Sequence, residues 1–149
     1  MSFGQSFQIT PLQLLRAASA VVNGGTLVTP HFGMYTLDEN GTNKEKFSYT
    51  TKENAVSKTT TDNMKRLLEL VVKEGSGSKG QVAGYRIGGN TASSEKLPRG
   101  NGKYISSYLG FAPADNPQVM IYVVVDEADD EELQSRASIA SSLAADILE

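Results

Sequence analysis

The stretch Lys103–Glu127, KYISSYLGFAPADNPQVMIYVVVDE, decides the fold. Its two arms, KYISSYLGFAPA and QVMIYVVVDE, have strand length and are rich in β-branched and aromatic residues. ADNP between them carries the turn chemistry of a tight antiparallel connection. The second arm is apolar from Val119 to Val125 without alternation, which predicts a strand buried on both faces in the middle of a sheet.

Upstream, VAGYRIGGNTA (residues 82–92) predicts another strand, and its Gly88-Gly89 pair signals a bulge or a close backbone approach. The polar loop SEKLPRGNG joins it to Lys103. Residues 82–126 thus read as a three-stranded antiparallel meander. In a meander the strand at 119–125 lies at an edge, although its apolarity asks for neighbours on both sides. An exposed apolar edge is an association site, so either another segment or a second copy of the chain is expected there.

Helices surround the meander. In ITPLQLLRAASAVVNGG, Thr10 is a fitting N-cap, Pro11 suits the first helical position and Gln13 completes a capping box. Leu15, Ala18 and Val22 form its apolar stripe, and Gly24-Gly25 closes the helix by residue 25. Residues 26–58 read as a hairpin insertion turning at Asn40-Gly41, a pair suited to a type I′ turn. Thr59, Thr60 or Thr61 caps a helix over 59–75 whose apolar face is Met64, Leu67, Leu68, Val71 and Val72. A last helix over 129–149 opens on Asp129–Glu132 and buries Leu133, Ala137, Ala140, Leu143, Ala144 and Ile147. The result is one α+β domain of helix, hairpin, helix, meander and helix.

Composition narrows function. The net charge of −3 over 149 residues offers no basic stripe for nucleic acid. Cysteine is absent, which removes disulfides and thiolate metal sites. His31, the one histidine, reads as a surface or packing residue beside Pro30. The acids Asp126, Glu127 and Asp129–Glu132 lack the ligand alternation and glycine of a calcium loop and read as helix N-terminal charge. No run is long and apolar enough for a membrane span.

Serine–lysine chemistry remains. There an amine one helical turn away deprotonates a serine nucleophile. Ser76 to Lys79 and Ser93 to Lys96 both match S-x-x-K, but neither opens a hydrophobic helix that would hold both side chains on one face. Both read as chance matches. The same holds for Thr61–Asn63, which superficially mimics S-D-N, and for Lys73-Glu74-Gly75 at a helix C-terminus.

Taken in order, SFGQSFQITPLQLLRAASAVVNGG, Thr29-Pro30, MKRLLELVVKEGSGS, VAGYRIGGNTASSEK and the quoted stretch resemble the C-terminal half of a penicillin-binding protein transpeptidase domain. The class resembled is the high-molecular-weight class B kind, of the division, elongation or sporulation type. The resemblance implies a partial penicillin-binding transpeptidase/serine β-lactamase-like fold. The full fold has a five-stranded sheet with helices on both faces. Its first two strands and N-terminal helix lie before the segments seen here, and the strand at 119–125 pairs with the first of them.

The family acylates a serine with a peptidoglycan stem peptide, releases D-alanine and passes the acyl group to an amine; β-lactams trap the serine. Its S-x-x-K and S-x-N motifs lie upstream of SFGQ, so the resemblance implies that nucleophile and lysine are absent here and that the chain alone is not catalytic. Its third motif, K-T-G-T, aligns with Asn90, Thr91, Ala92 and Ser93 as the substrate-binding strand. Ser93 keeps the carboxylate-binding hydroxyl, and its N–H stands where half of an oxyanion hole is expected. Asn90 removes a charge-assisted contact, a loss of roughly 1.5–3 kcal/mol, and Ala92 adds a methyl group where the peptide lies.

The implied partners are stem peptide and β-lactams in a complete protein, together with the missing N-terminal half of the domain or a homodimer through the 119–125 edge. The reading calls for no cofactor and no metal. It places the parent protein at the bacterial cytoplasmic membrane with this domain on the outer face, and the chain itself in solution. The alternative is a degenerate, non-catalytic relative that serves as a binding or assembly module in cell-wall machinery.

Overall fold

The computed structural model describes residues 8–42, 44–129 and 137–149. Helix α1 spans Pro11–Val22. Its capping box forms as expected: the Gln13 N–H donates to Thr10 Oγ1 at 3.2 Å, and the Thr10 N–H donates to Gln13 Oε1 at 3.1 Å. Two donors that the helix cannot satisfy are thereby paired. Asn23 ends the helix by folding its side chain onto the next turn, with Oδ1 accepting from the N–H groups of Gly25 and Thr26.

The insertion forms a short hairpin of β1 (Tyr35–Leu37) and β2 (Lys44–Lys46), both exposed. A bridge between Leu27 and Lys52 ties its base. The expected type I′ turn is not formed. It needs positive φ at both central residues, and only Gly41 has it, at +71°. Instead the Asp38 carboxylate organises the loop, taking the N–H groups of Asn40 and Thr42. His31 packs as expected, its ring stacked on Tyr49 with centroids 3.6 Å apart.

Helix α2 spans Lys58–Glu74, and its cap is Ser57 rather than a threonine. Ser57 Oγ accepts from the Thr60 N–H at 3.2 Å, while Thr61 is buried and turns its hydroxyl back to the Lys58 carbonyl at 2.8 Å. The buried line therefore runs through Thr61, Leu68 and Val72, and Leu67 faces solvent.

Strands β3 (Gly88–Glu95), β4 (Tyr104–Ala112) and β5 (Val119–Asp126) form the meander, in sheet order β3-β4-β5. The first strand starts later than 82 because Val82 and Tyr85 close a turn, and the Arg86 carbonyl is taken by the Ala114 N–H at 2.8 Å. Thr91, Tyr108 and Val123 are in register across the sheet, as are Asn90, Leu109 and Tyr122 on the opposite face.

Over the Tyr108 face lie α2, a 3₁₀ turn (Ser78–Gly80) and helix α3 (Ser138–Leu148). Val72, Val82, Ile87, Tyr108, Val123, Ala140 and Ala144 make this core. The buried positions of α3 are Ala140, Ser141 and Ala144, whereas Leu143 and Ile147, expected inside, are exposed. Small residues let the helix lie close to the strands. The expected opening of this helix at Asp129–Glu132, with Leu133, falls largely outside the described residues. Of the acids assigned to it, Asp126 ends β5 and Glu127 follows it.

Among the described residues the opposite face is covered at one end only, where Phe111 and Ala114 meet Val22 of α1 and Leu68 of α2. Beyond them an open groove of about 770 Å³ runs between α1 and the sheet, floored by Ala92, Ile105, Leu109 and Val124 and walled by Leu14 and Ala18. β5 is therefore not buried on both faces among the described residues: Val123 is inside, while Val124 is 42% exposed.

The Gly88-Gly89 pair is a double close approach rather than a bulge. A Cβ at Gly88 would enter the Phe111 ring on one face, and a Cβ at Gly89 would enter the Tyr108 hydroxyl end on the other. Gly89→Ala is expected to cost about 1–3 kcal/mol by overpacking, read from urea unfolding. Adding Tyr108→Phe should return part of that loss, since it removes the nearest atom. A loss that Tyr108→Phe leaves unchanged would mean that the ring is not the obstacle.

Candidate functional site

Strand β3 splits the four motif residues between two faces. Asn90 and Ala92 line the groove with Ser94, and Asn90 and Ala92 are both exposed. Thr91 and Ser93 point to the other side, as the register with Tyr108 and Ser106 requires. Thr91 Oγ1 donates to Ser76 Oγ at 3.0 Å. Ser93 Oγ is enclosed and has no hydrogen-bond partner among the described residues. Among the described residues β3 pairs only with β4, so its outer edge is free. A ligand on that edge would have Asn90 and Ala92 at one rim and Thr91 at the other.

Two ion-pair clusters hold this strand at its ends. Before β3, Arg86 forks onto Glu69 of α2, with Nε to Oε1 at 2.6 Å and Nη2 to Oε2 at 2.7 Å, and its Nη1 lies 3.3 Å from Asp115. The guanidinium holds the Glu69 carboxyl below its ordinary range. After β3, Lys96 Nζ reaches Asp126 at 2.9 Å and Glu127 at 2.7 Å, and Lys103 Nζ reaches Glu127 at 2.9 Å. Hydrogen bonds from Lys96 and then Lys103 draw the Glu127 carboxyl down to about 2, and the same contacts raise Lys96.

The structure thereby corrects the reading of Asp126 and Glu127 as helix N-terminal charge: they close the end of the sheet. Lys96 is engaged there, so the Ser93–Lys96 pair is no serine–lysine couple. The Ser76–Lys79 match fails too, because Ser76 lies in the loop after α2, Lys79 lies in the 3₁₀ turn, and the Ser76 hydroxyl is bonded to Thr91. Ser76 beside Thr91 and the groove itself escaped the sequence reading. Both arise from contacts between segments, and only the loop's small residues hinted at close packing.

The penicillin-binding protein transpeptidase domain family model matches residues 1–149. Stage V sporulation protein D of Bacillus subtilis is 42% identical over 130 residues, a match covering 84% of this chain and 20% of that protein. A probable peptidoglycan D,D-transpeptidase, PenA, of Neisseria flavescens is 34% identical over 132 residues, covering 85% of this chain and 30% of that protein. Among solved structures, penicillin-binding protein 3 of Mycobacterium tuberculosis is similar with a TM-score of 0.83 at 25% identity, covering 97% of this chain and 35% of that one. The transpeptidase domain of Burkholderia pseudomallei penicillin-binding protein 3 has a TM-score of 0.75 at 25% identity, covering 99% and 43%. The chain thus spans a fifth to under a third of these two curated relatives. It belongs to the penicillin-binding protein transpeptidase family, and its α+β architecture is part of that family's domain.

Glu127 gives the site end an acid dependence of defined sign. Its folded-state pKa lies below that of an unfolded glutamate, near 4.3, so its contribution is full above that pH and is lost as pH falls toward about 2. The stability difference between the wild type and Glu127→Gln should therefore shrink across that window, measured by urea unfolding at stepped pH. A difference that stays constant down to the lower limit would show that the Lys96–Glu127–Lys103 cluster contributes nothing.

Proposed function

We propose that this chain forms one wall of the substrate cleft of a serine D,D-transpeptidase that cross-links peptidoglycan. The observation that carries the reading is β3: it bears Asn90-Thr91-Ala92-Ser93 where the family has K-T-G-T, at the free edge of the sheet and beside an open groove. In the complete protein a serine Oγ attacks the carbonyl of the penultimate D-alanine of a stem peptide. Terminal D-alanine leaves with a proton, and an amine of a second strand then displaces the serine from the acyl group.

Nucleophile and lysine come from sequence outside this chain, which alone is not catalytic. β-Lactams occupy the same cleft in the complete protein; the solved structures of Mycobacterium tuberculosis penicillin-binding protein 3 include complexes with aztreonam and ampicillin. The remainder of the domain packs into the groove and against the outer edge of β5, the two apolar surfaces left open here. A second copy at the β5 edge is the competing occupant. The parent protein is held at the cytoplasmic membrane by a segment elsewhere, with this domain outside; no helix among the described residues is long and apolar enough to cross a membrane.

A second reading has specific support. Asn90 lacks the positive charge of the motif lysine, and Ala92 projects a methyl group into the groove. Losing the lysine's charge-assisted bond weakens substrate contacts by on the order of 1.5–3 kcal/mol, and the methyl group crowds a bound peptide; together they suit a non-catalytic assembly module.

Fluorescent penicillin separates the two. The chain alone should give no covalent adduct. Mixed with the upstream portion of its own gene product, expressed separately, it should restore labelling of a serine in that portion. Co-purification without labelling would favour the assembly module. An adduct on Ser76 or Ser93 of the lone chain would overturn the assignment of both as non-nucleophiles.

A further inference from the structure

We propose that Ser76 is a substrate-contacting hydroxyl of this cleft, the donor that a substrate carboxylate meets at the Thr91 rim of β3. The inference rests on β3 being the cleft wall. It starts from a count of protons. Thr91 Oγ1 donates to Ser76 Oγ at 3.0 Å, which uses the single hydroxyl proton of Thr91. Thr91 then offers only lone pairs, and a carboxylate has no donor to give them. Ser76 keeps its own proton, and the residue is exposed. A hydroxyl that accepts one hydrogen bond is a stronger donor in the next. The pair therefore presents one polarised O–H, and it belongs to Ser76.

The loop holding Ser76 is fixed to the body of the domain. The Gly75 and Gly77 N–H groups donate to the Val71 carbonyl at 3.0 and 3.1 Å, and the Gly80 N–H donates to the Gly77 carbonyl at 2.8 Å. Gly80 also lies so near the Tyr108 ring that a Cβ there would overlap it. Ser76 is thus held from α2 on one side and from the sheet on the other. Lys79, in the following 3₁₀ turn and without an ion pair among the described residues, adds positive charge to the same short loop.

The test uses the full chain, titrated with N-acetyl-D-Ala-D-Ala and with its C-terminal amide, and read by amide NMR shifts. The wild type should bind the acid more tightly than the amide, with the Ser76 amide resonance moving for the acid. Ser76→Ala should lose roughly one to two decades of affinity for the acid, the range of a hydrogen bond to a charged group, and nothing for the amide. Ser76→Thr should restore the preference. Thr91→Val should weaken acid binding less than Ser76→Ala does.

If Ser76→Ala binds the acid like the wild type while Thr91→Val loses it, the carboxylate goes to Thr91 directly; Ser76 then has no role, and the cleft reading stands. If the wild type does not distinguish acid from amide, or binds neither, no carboxylate site exists on β3 and both readings fall.

Discussion

The Tyr108 ring is the constraint on which the rest of the domain depends. It is fully buried, and it lies where side chains on Gly80, Gly89 and Gly110 would otherwise be. Those glycines come from the 3₁₀ turn, β3 and β4, so one ring fixes three segments against one another. Ala140 and Ala144 of α3 join the same core, and small residues there suit a ring so closely held. The hydroxyl has no partner among the described residues, and burial pushes its pKa up to about 12. An unsatisfied buried hydroxyl costs about 1–3 kcal/mol. The site bears that cost while the body of the ring locates β3.

What Tyr108 fixes from behind, the ion pairs fix from the ends. Arg86 joins the entry of β3 to α2 and to the β4–β5 loop through Glu69 and Asp115, and Lys96 joins its exit to the end of β5. Exposed pairs of this sort contribute little individually. Here they tie both ends of β3 to the elements beside it, adding to the core contact between Val72 and Ile87 at its entry. β3 is thus held on three sides, and among the described residues its fourth side is left open.

The sequence made local chemistry legible and left long-range pairing hidden. The capping box of Thr10 and Gln13 is complete within four residues, so composition alone could place it. The strands of the meander and the close approach at Gly88-Gly89 were equally visible, because period and glycine are local marks. Ser57 is hard to single out as the α2 cap because three threonines compete just beyond it; burial of Thr61 settles the competition. Lys96 and Glu127 are 31 residues apart, and Thr91 and Ser76 are 15 apart, so only the packed sheet brings either pair together. The apolar run Val119–Val125 predicts a strand covered on both faces, whereas among the described residues Val123 is inside and Val124 lies open.

The same physics decides what the motif strand can do. Alternation puts Asn90 and Ala92 on the groove side and Thr91 and Ser93 on the core side, so the two altered letters and the two retained ones do different work. The retained hydroxyls belong to the packed side, where Ser93 is enclosed and Thr91 is bonded to Ser76. Asn90 and Ala92 face open space, where a change of side chain disturbs little packing. A different side chain at either position therefore leaves the packing of the strand intact.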